Sequence, residues 1–245
     1  MEGVIEQARK LKNDAMDARD EARFEEAHKK LREAETALMK ALAEQRLVHE
    51  GEQVGDFERE IAKQLVHIRG SIGGVWRREG HHAGSAAESA KAYVKSAQAY
   101  DSGYELERTE AGYGIVDSYT LVQRLVVRIF VNPAAADDEQ VIVEHLAVRP
   151  EIEKAKDIIR DQIYGNRVRE RDEFAHADLT LVLLLLGDRD WHAQLRRFRD
   201  LQPKPAYALA ATREVVGELQ KVAVNSSRAS QRLREDLANA LTGLQ

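Results

Sequence analysis

The sequence predicts an all-α protein of about ten helices joined by short connectors, and three observations predict it. Apolar and small residues recur at three- and four-residue steps along the first fifty positions: Leu11, Ala15, Ala18 and Ala22, then Ala27, Leu31, Ala34, Leu38 and Leu42. That spacing keeps them on one face of an α-helix. The 245 residues include only four Pro and 15 Gly, few turn formers for an all-β fold of this length. Lys, Arg, Glu, Ala and Leu, which suit long helices, dominate instead.

Taken in order, Val4 to Glu50 reads as two helices with a weak break near Glu21 to Phe24, a single long helix being the alternative. The run Glu50 to Asp56, with Gly51 and Gly55, is the first clear stop. A third helix covers Phe57 to Glu79. Gly70, Gly73 and Gly74 lie inside it, where each costs about 1 kcal/mol relative to Ala, so close helix-to-helix approach is expected there. A loop follows from Gly80 to Ser85, and Ser85 with Glu88 forms a capping box for a fourth helix over Ala86 to Glu107. Asp117 or Ser118 caps a fifth helix through Leu121, Leu125 and Ile129, with a short strand over Val126 to Val131 as the rival. Asn132-Pro133 ends that element. Asp137 to Arg149 is expected to be a short helix, although Val141-Ile142-Val143 favours strand. Pro150 opens the next helix, patterned by Ile152, Ala155, Ile158, Ile159 and Ile163 and stopped at Gly165-Asn166. Further helices are expected over Arg171 to Leu186, Trp191 to Leu201, Pro205 to Val222 and Ser226 to Leu244, with Pro203-Lys204-Pro205 as a rigid break. The apolar run Leu179 to Leu186 is too short to span a bilayer and reads as a buried helix.

Charge and composition narrow the function. The net charge is -5, and a phosphate-binding surface needs a basic excess, which argues against nucleic acid as the main partner. The chain has no Cys, so disulfides, thiolate zinc sites and Cys nucleophiles are excluded, and a reducing, cytoplasmic home is the simplest reading. The start, Met1 to Lys12, is charged and lacks an apolar core of the secretory type. No membrane role is expected.

Three stretches share one order of large and small residues. The first is Leu11, Ala15, Ala18 and Ala22 leading into Arg23-Phe24-Glu25-Glu26-Ala27, then Leu31 and Ala34. The second runs Ile72, Gly73, Trp76 and Gly80, resuming at Ala97, Tyr100 and Gly103. The third is Leu179, Thr180, Leu183 and Leu186-Gly187-Asp188, then Trp191, Ala193 and Phe198, closing at Pro203. This order resembles the tetratricopeptide repeat, a helix-turn-helix unit of about 34 residues. The likeness implies a degenerate tetratricopeptide-type helical-hairpin solenoid, with a long N-terminal hairpin over residues 1–55 and a repeat domain with C-terminal capping helices over 56–245. A plain helical bundle is the alternative.

Tyr100-Asp101-x-Gly103-Tyr104-Glu105-Leu106, Asp117-Ser118-Tyr119-Thr120-Leu121, Ala175-His176-Ala177-Asp178-Leu179 and Pro205-Ala206-Tyr207-Ala208-Leu209-Ala210-Ala211-Thr212 carry a narrower likeness. Over roughly residues 65–222 the chain resembles the tetratricopeptide-type TRAF-binding domain of mitogen-activated kinase kinase kinases and its bacterial relatives. The resemblance implies an adaptor or regulatory surface, in bacteria beside signalling or defence effectors. The long first hairpin and the inserted stretch Pro133 to Pro150 depart from that family.

Chemistry-bearing groups are sparse. His81-His82 lacks the further ligands a metal needs, so no cofactor or metal is expected. Gly70-Ser71-Ile72-Gly73-Gly74 lacks the Lys-Ser/Thr ending of a phosphate loop. Paired carboxylates such as Glu25-Glu26 read as solvated helix faces, and no enzyme is expected. The candidate partner-binding residues are Arg77, Arg78, Arg124 and Arg128, which inner helices of a solenoid would turn toward a groove able to grip an acidic peptide, with Tyr93 and Tyr100; ordinary surface charge and hairpin packing are the competing readings. Arg167, Arg169 and Arg171, and Arg196, Arg197 and Arg199, form two further basic clusters. Tyr119 and Trp76 are expected to be buried. Leu31, Leu38 and Leu42 make either a coiled-coil contact, with a partner or a second copy, or a simple cap. A self-assembling structural subunit and an Arg-rich nucleic-acid-binding regulator, with Arg228, Arg232 and Arg234 as its site, are the alternative functions.

Overall fold

The computed structural model describes residues 2–48, 53–108, 111–201 and 207–245. These hold ten α-helices and one two-stranded hairpin, so the chain is all-α. The expected stops at Glu50 to Glu52 and at Pro203 to Pro205 lie outside the described residues. Packing divides the chain into two units, Met1–Thr120 and Leu121–Gln245. The apolar stripes of the first two helices and of the third helix share one core.

In the N-terminal unit, α1 (Glu2–Asp20) and α2 (Phe24–Val48) are separated by a tight turn in which Ala22 takes the left-handed conformation (φ 58°). Ala15, Ala18, Ala27 and Ala34 are fully buried, and these small side chains let the two helices approach closely. Leu31, Leu38 and Leu42 are buried too, so the core takes them and they form no free coiled-coil seam. Next, α3 (Asp56–His82) pairs with α2 and with α4 (Ala86–Glu107). The α3 helix runs two residues beyond Gly80, so His81 and His82 are helical and not in a loop. Ser85 caps α4, its Oγ accepting from the Glu88 N–H at 3.3 Å. A Cβ at Gly73 would lie 2.8 Å from the Tyr100 ring, and one at Gly80 would lie 2.8 Å from the Tyr93 ring. The interior glycines therefore mark the close approach of α3 and α4, where each aromatic ring occupies the space of a missing side chain. Trp76 is only half-buried: the His28 ring lies 3.8 Å from it, and the Lys95 ammonium sits 4.0 Å from its centroid. Tyr119 stays 38% exposed.

In the C-terminal unit, the apolar run of α5 (Tyr119–Val131) is helical, not a strand, and Asn132-Pro133 turns the chain into a short 3-10 segment, Pro133–Ala136. The helix expected over Asp137 to Arg149 is instead a small hairpin of β1 (Ile142–Val143) and β2 (Leu146–Ala147), with Ile142 paired to Ala147 and Val143 to Leu146. Its two turn residues, Glu144 and His145, both have positive φ, the signature of a type I′ turn. After α6 (Val148–Arg160), one π turn over Asp161–Gly165 leads to α7 (Glu173–Leu186). Asp172 caps α7, its Oδ1 accepting from the Phe174 and Ala175 N–H groups. Every α7 residue from Ala175 to Leu186 is buried. Over that stretch the helix has no solvent-facing side, and α6, α8 (Trp191–Asp200), α9 (Tyr207–Asn225) and α10 (Gln231–Gly243) all pack against it.

The open C-terminal end of α7 is closed by two devices. Gly187 takes the left-handed conformation (φ 67°) that only glycine adopts without penalty. Arg232 of α10 donates to the carbonyls of Leu184 and Leu185 at 3.3 and 3.1 Å and pairs with Asp137 and Asp236. A polar chain, buried at Gln194 and His176, crosses the same unit. The Tyr164 hydroxyl donates to Gln194 Oε1 (3.0 Å), the Gln194 amide donates to His176 Nδ1 (2.9 Å), and His176 Nε2–H donates to the Glu170 carbonyl (3.0 Å). This arrangement fixes His176 as the neutral tautomer, and burial pushes its pKa down. Among the described residues, no helix is long and apolar enough to cross a membrane.

Candidate docking groove

The buried stripe of α2 (Leu31, Ala34, Leu38, Leu42) leaves Met39 and Leu47 off the core face. They remain 49% and 77% exposed. Leu65 of α3 and Leu106 of α4 lie below them. Together with Leu42, Ala43, Arg46 and Arg69 they line an open groove of about 670 Å³.

Among the described residues, two charged side chains line this groove, and both are arginines. Arg69 is fixed: its guanidinium donates to Glu35 Oε1 at 2.9 Å and to the Ser102 carbonyl at 2.8 Å, and reaches Met39 Sδ at 3.9 Å. Arg46 is looser. It makes one bond of 3.3 Å to Glu58 and lies 5.3 Å from the Tyr113 ring centroid, with more than half of its side chain open to solvent. A guanidinium has five N–H donors, so Arg46 keeps unspent donors at the groove edge. The floor is apolar and well suited to aliphatic side chains; the rim offers positive charge.

The six residues singled out from sequence lie elsewhere. Arg77 is buried in α3, and Arg78 pairs with Asp20 at 2.8 Å, fastening α3 to α1. Tyr93 is buried with its hydroxyl 2.9 Å from His81 Nδ1. Tyr100 is fully buried against Gly73, its hydroxyl 3.4 Å from that of Tyr119. In the C-terminal unit, Arg124 pairs with Glu151 at 2.6 Å, and Arg128 donates to the Val143 and Arg124 carbonyls. None lines the groove; all six are engaged in packing or internal bonds. The expectation of arginines turned outward missed that these helices bury both faces. The basic clusters divide similarly. Arg169 is buried against Asp172, and Arg197 lies over the Tyr164 ring at 4.9 Å.

The groove residues carried one signal in the sequence. Met39 and Leu47 are apolar yet fall outside the three- and four-residue stripe of α2. No protein-family model, curated protein or solved structure matches the chain.

Proposed function

We propose that the chain is a non-catalytic adaptor or regulatory scaffold, and that it seats one amphipathic helix of a partner protein in the groove between α2, α3 and α4. The observation that carries this reading is the groove itself: exposed Met39 and Leu47 over a leucine floor, with arginine as the only charge among its described residues. Helix-in-groove recognition uses apolar anchors at i, i+3, i+4 and i+7. The fitting helix places three such side chains on the floor and one acidic residue against Arg46, a charge-assisted bond. The groove volume falls within the range of about 300–1,000 Å³ typical of binding pockets. The tetratricopeptide likeness supports the same reading. Arg9 of α1 bonds Glu60 of α3 and Asp20 bonds Arg78, so these two helices run parallel, with α2 as the antiparallel member between. The setting that likeness implies, beside a bacterial signalling or defence effector, belongs to this proposal.

The test is site-specific photo-crosslinking from position 47 in the native host, with exposed Val224 as the control position, followed by titration of the purified partner. Capture at 47 and not at 224 is expected. Leu47→Lys and Met39→Glu should each weaken the purified complex by about tenfold or more without changing the urea midpoint of the free chain. Equal capture at both positions, affinity unchanged by both variants, or a second copy of this chain as the captured species would overturn the proposal.

A further inference from the structure

The chain has three methionines and no cysteine, so thioethers are its only sulfur. Their surroundings differ. Met16 of α1 is partly buried and packs against the N-terminal core, whereas Met39 of α2 stands half-exposed in the wall of the docking groove. Oxidation of a methionine follows access to its sulfur, and among the described residues Met39 is the more open of the two.

Arg69 gives this sulfur a second distinction. The arginine side chain is only 17% exposed, and two of its nitrogens are clamped, Nε to Glu35 of α2 and Nη1 to the Ser102 carbonyl of α4. The third nitrogen, Nη2, has Met39 Sδ at 3.9 Å as its sole hydrogen-bond partner among the described residues. A thioether is a weak acceptor. The Nη2 donors are therefore held in place beside a sulfur that barely uses them. An oxygen on that sulfur, turned toward Nη2 by rotation of the exposed side chain, comes within hydrogen-bond range and is a strong acceptor.

We propose that Met39 is a reversible oxidation site: a hydroperoxide converts its thioether to the sulfoxide, and Arg69 Nη2–H donates to the new oxygen. The sulfur lone pair attacks one peroxide oxygen and the O–O bond breaks. Sulfur gives up two electrons and gains the S–O bond; the other oxygen takes the proton of the transferred one and, from hydrogen peroxide, departs as water. A sulfoxide reductase, with a dithiol as electron donor, removes the oxygen as water and restores the thioether. The effect on a partner rests on the docking reading above. The bond to Arg69 keeps the oxygen in the groove instead of letting it swing into solvent, so an apolar anchor seated there must desolvate it, which weakens the docked helix by about tenfold. A docked helix covers the same sulfur, so oxidation acts on the free groove.

Hydrogen peroxide is the probe, added over a time course to the full chain with isotope-labelled methionine methyl groups, and each thioether is followed by peptide mass mapping. Met39 should gain one oxygen about fivefold or more faster than Met16. Relaxation of the Met39 methyl resonance should show a more restrained side chain in the sulfoxide than in the thioether. Arg69→Lys should abolish that restraint, because a single ammonium cannot serve Glu35, the Ser102 carbonyl and the sulfoxide in the guanidinium's geometry. Equal oxidation of Met39 and Met16, or a sulfoxide methyl as mobile as the thioether's, would sink the assignment; both are read on the unaltered chain, whatever the variant's stability. The partner captured at position 47 then separates the two proposals. Chain oxidised beforehand and freed of peroxide should bind it about tenfold more weakly, and the Met39→Leu complex should not respond to the same treatment. An equal response in both chains, or none in either, would overturn the regulation. A chain that captures no partner would instead overturn the docking reading and leave the Met39 chemistry standing.

Discussion

The two units solve the same packing problem in opposite ways. In the N-terminal unit the critical contacts are made by the smallest residues: Ala15, Ala18, Ala27 and Ala34 between α1 and α2, and Gly73 and Gly80 between α3 and α4. In the C-terminal unit they are made by the largest aliphatic run, Leu181 to Leu186, on a helix with no solvent face. One unit is held by closeness of backbones, the other by bulk at a shared centre. Adding atoms should therefore damage the first and removing atoms the second.

The largest effect expected is from Leu184→Ala. Its side chain is fully buried in α7, and truncation should cost about 3 kcal/mol, read from urea unfolding of the C-terminal unit. A cost below about 1 kcal/mol, as at half-open sites, would mean that α7 is not enclosed. Next comes Gly73→Ala, which puts a methyl 2.8 Å from the Tyr100 ring. Overpacking of this kind costs about 2 kcal/mol. Combining it with Tyr100→Leu should give less than the sum, because one removes what the other collides with. The two tryptophans separate these effects, since Trp76 reports the first unit and Trp191 the second. Single-tryptophan variants follow each transition on its own.

The smallest effect is a pH dependence. His28 and His176 both have lowered pKa values, in each case chiefly by burial. The unfolded chain takes up their protons first. Stability should therefore hold above the ordinary imidazole value near 6.5 and decline as pH falls through it toward the folded-state value. His176→Gln should flatten the decline seen by Trp191 and leave that seen by Trp76. Equal flattening at both probes would dissolve the distinction between the units.

Much of this architecture was legible because helices announce themselves by period and punctuation. The Ser85 cap, the Asn132-Pro133 stop and the buried Leu179 to Leu186 run all follow from local chemistry. The β1–β2 hairpin did not, because its turn is Glu144-His145, where Asn-Gly would have signalled positive φ. His81 and His82 looked like loop residues because Gly80 precedes them. That glycine instead makes room for Tyr93, and the helix continues. The groove left a single trace, Met39 and Leu47 off the apolar stripe of α2, because it is the apolar surface left over once three helices have packed. The arginines drew attention by charge, yet Arg124 and Arg128 serve internal partners that lie 15 to 27 residues further along the chain.

Arg232 has a consequence for how the molecule is made. The end of α7 and the Asp137 carboxylate both wait on a guanidinium encoded 95 residues after that aspartate. During synthesis α7 emerges well before the group that closes its C-terminal end. Until residue 232 has been added, the last carbonyls of α7 and the Asp137 carboxylate lack this shared partner, although α6, α8 and α9 can already pack on the leucines.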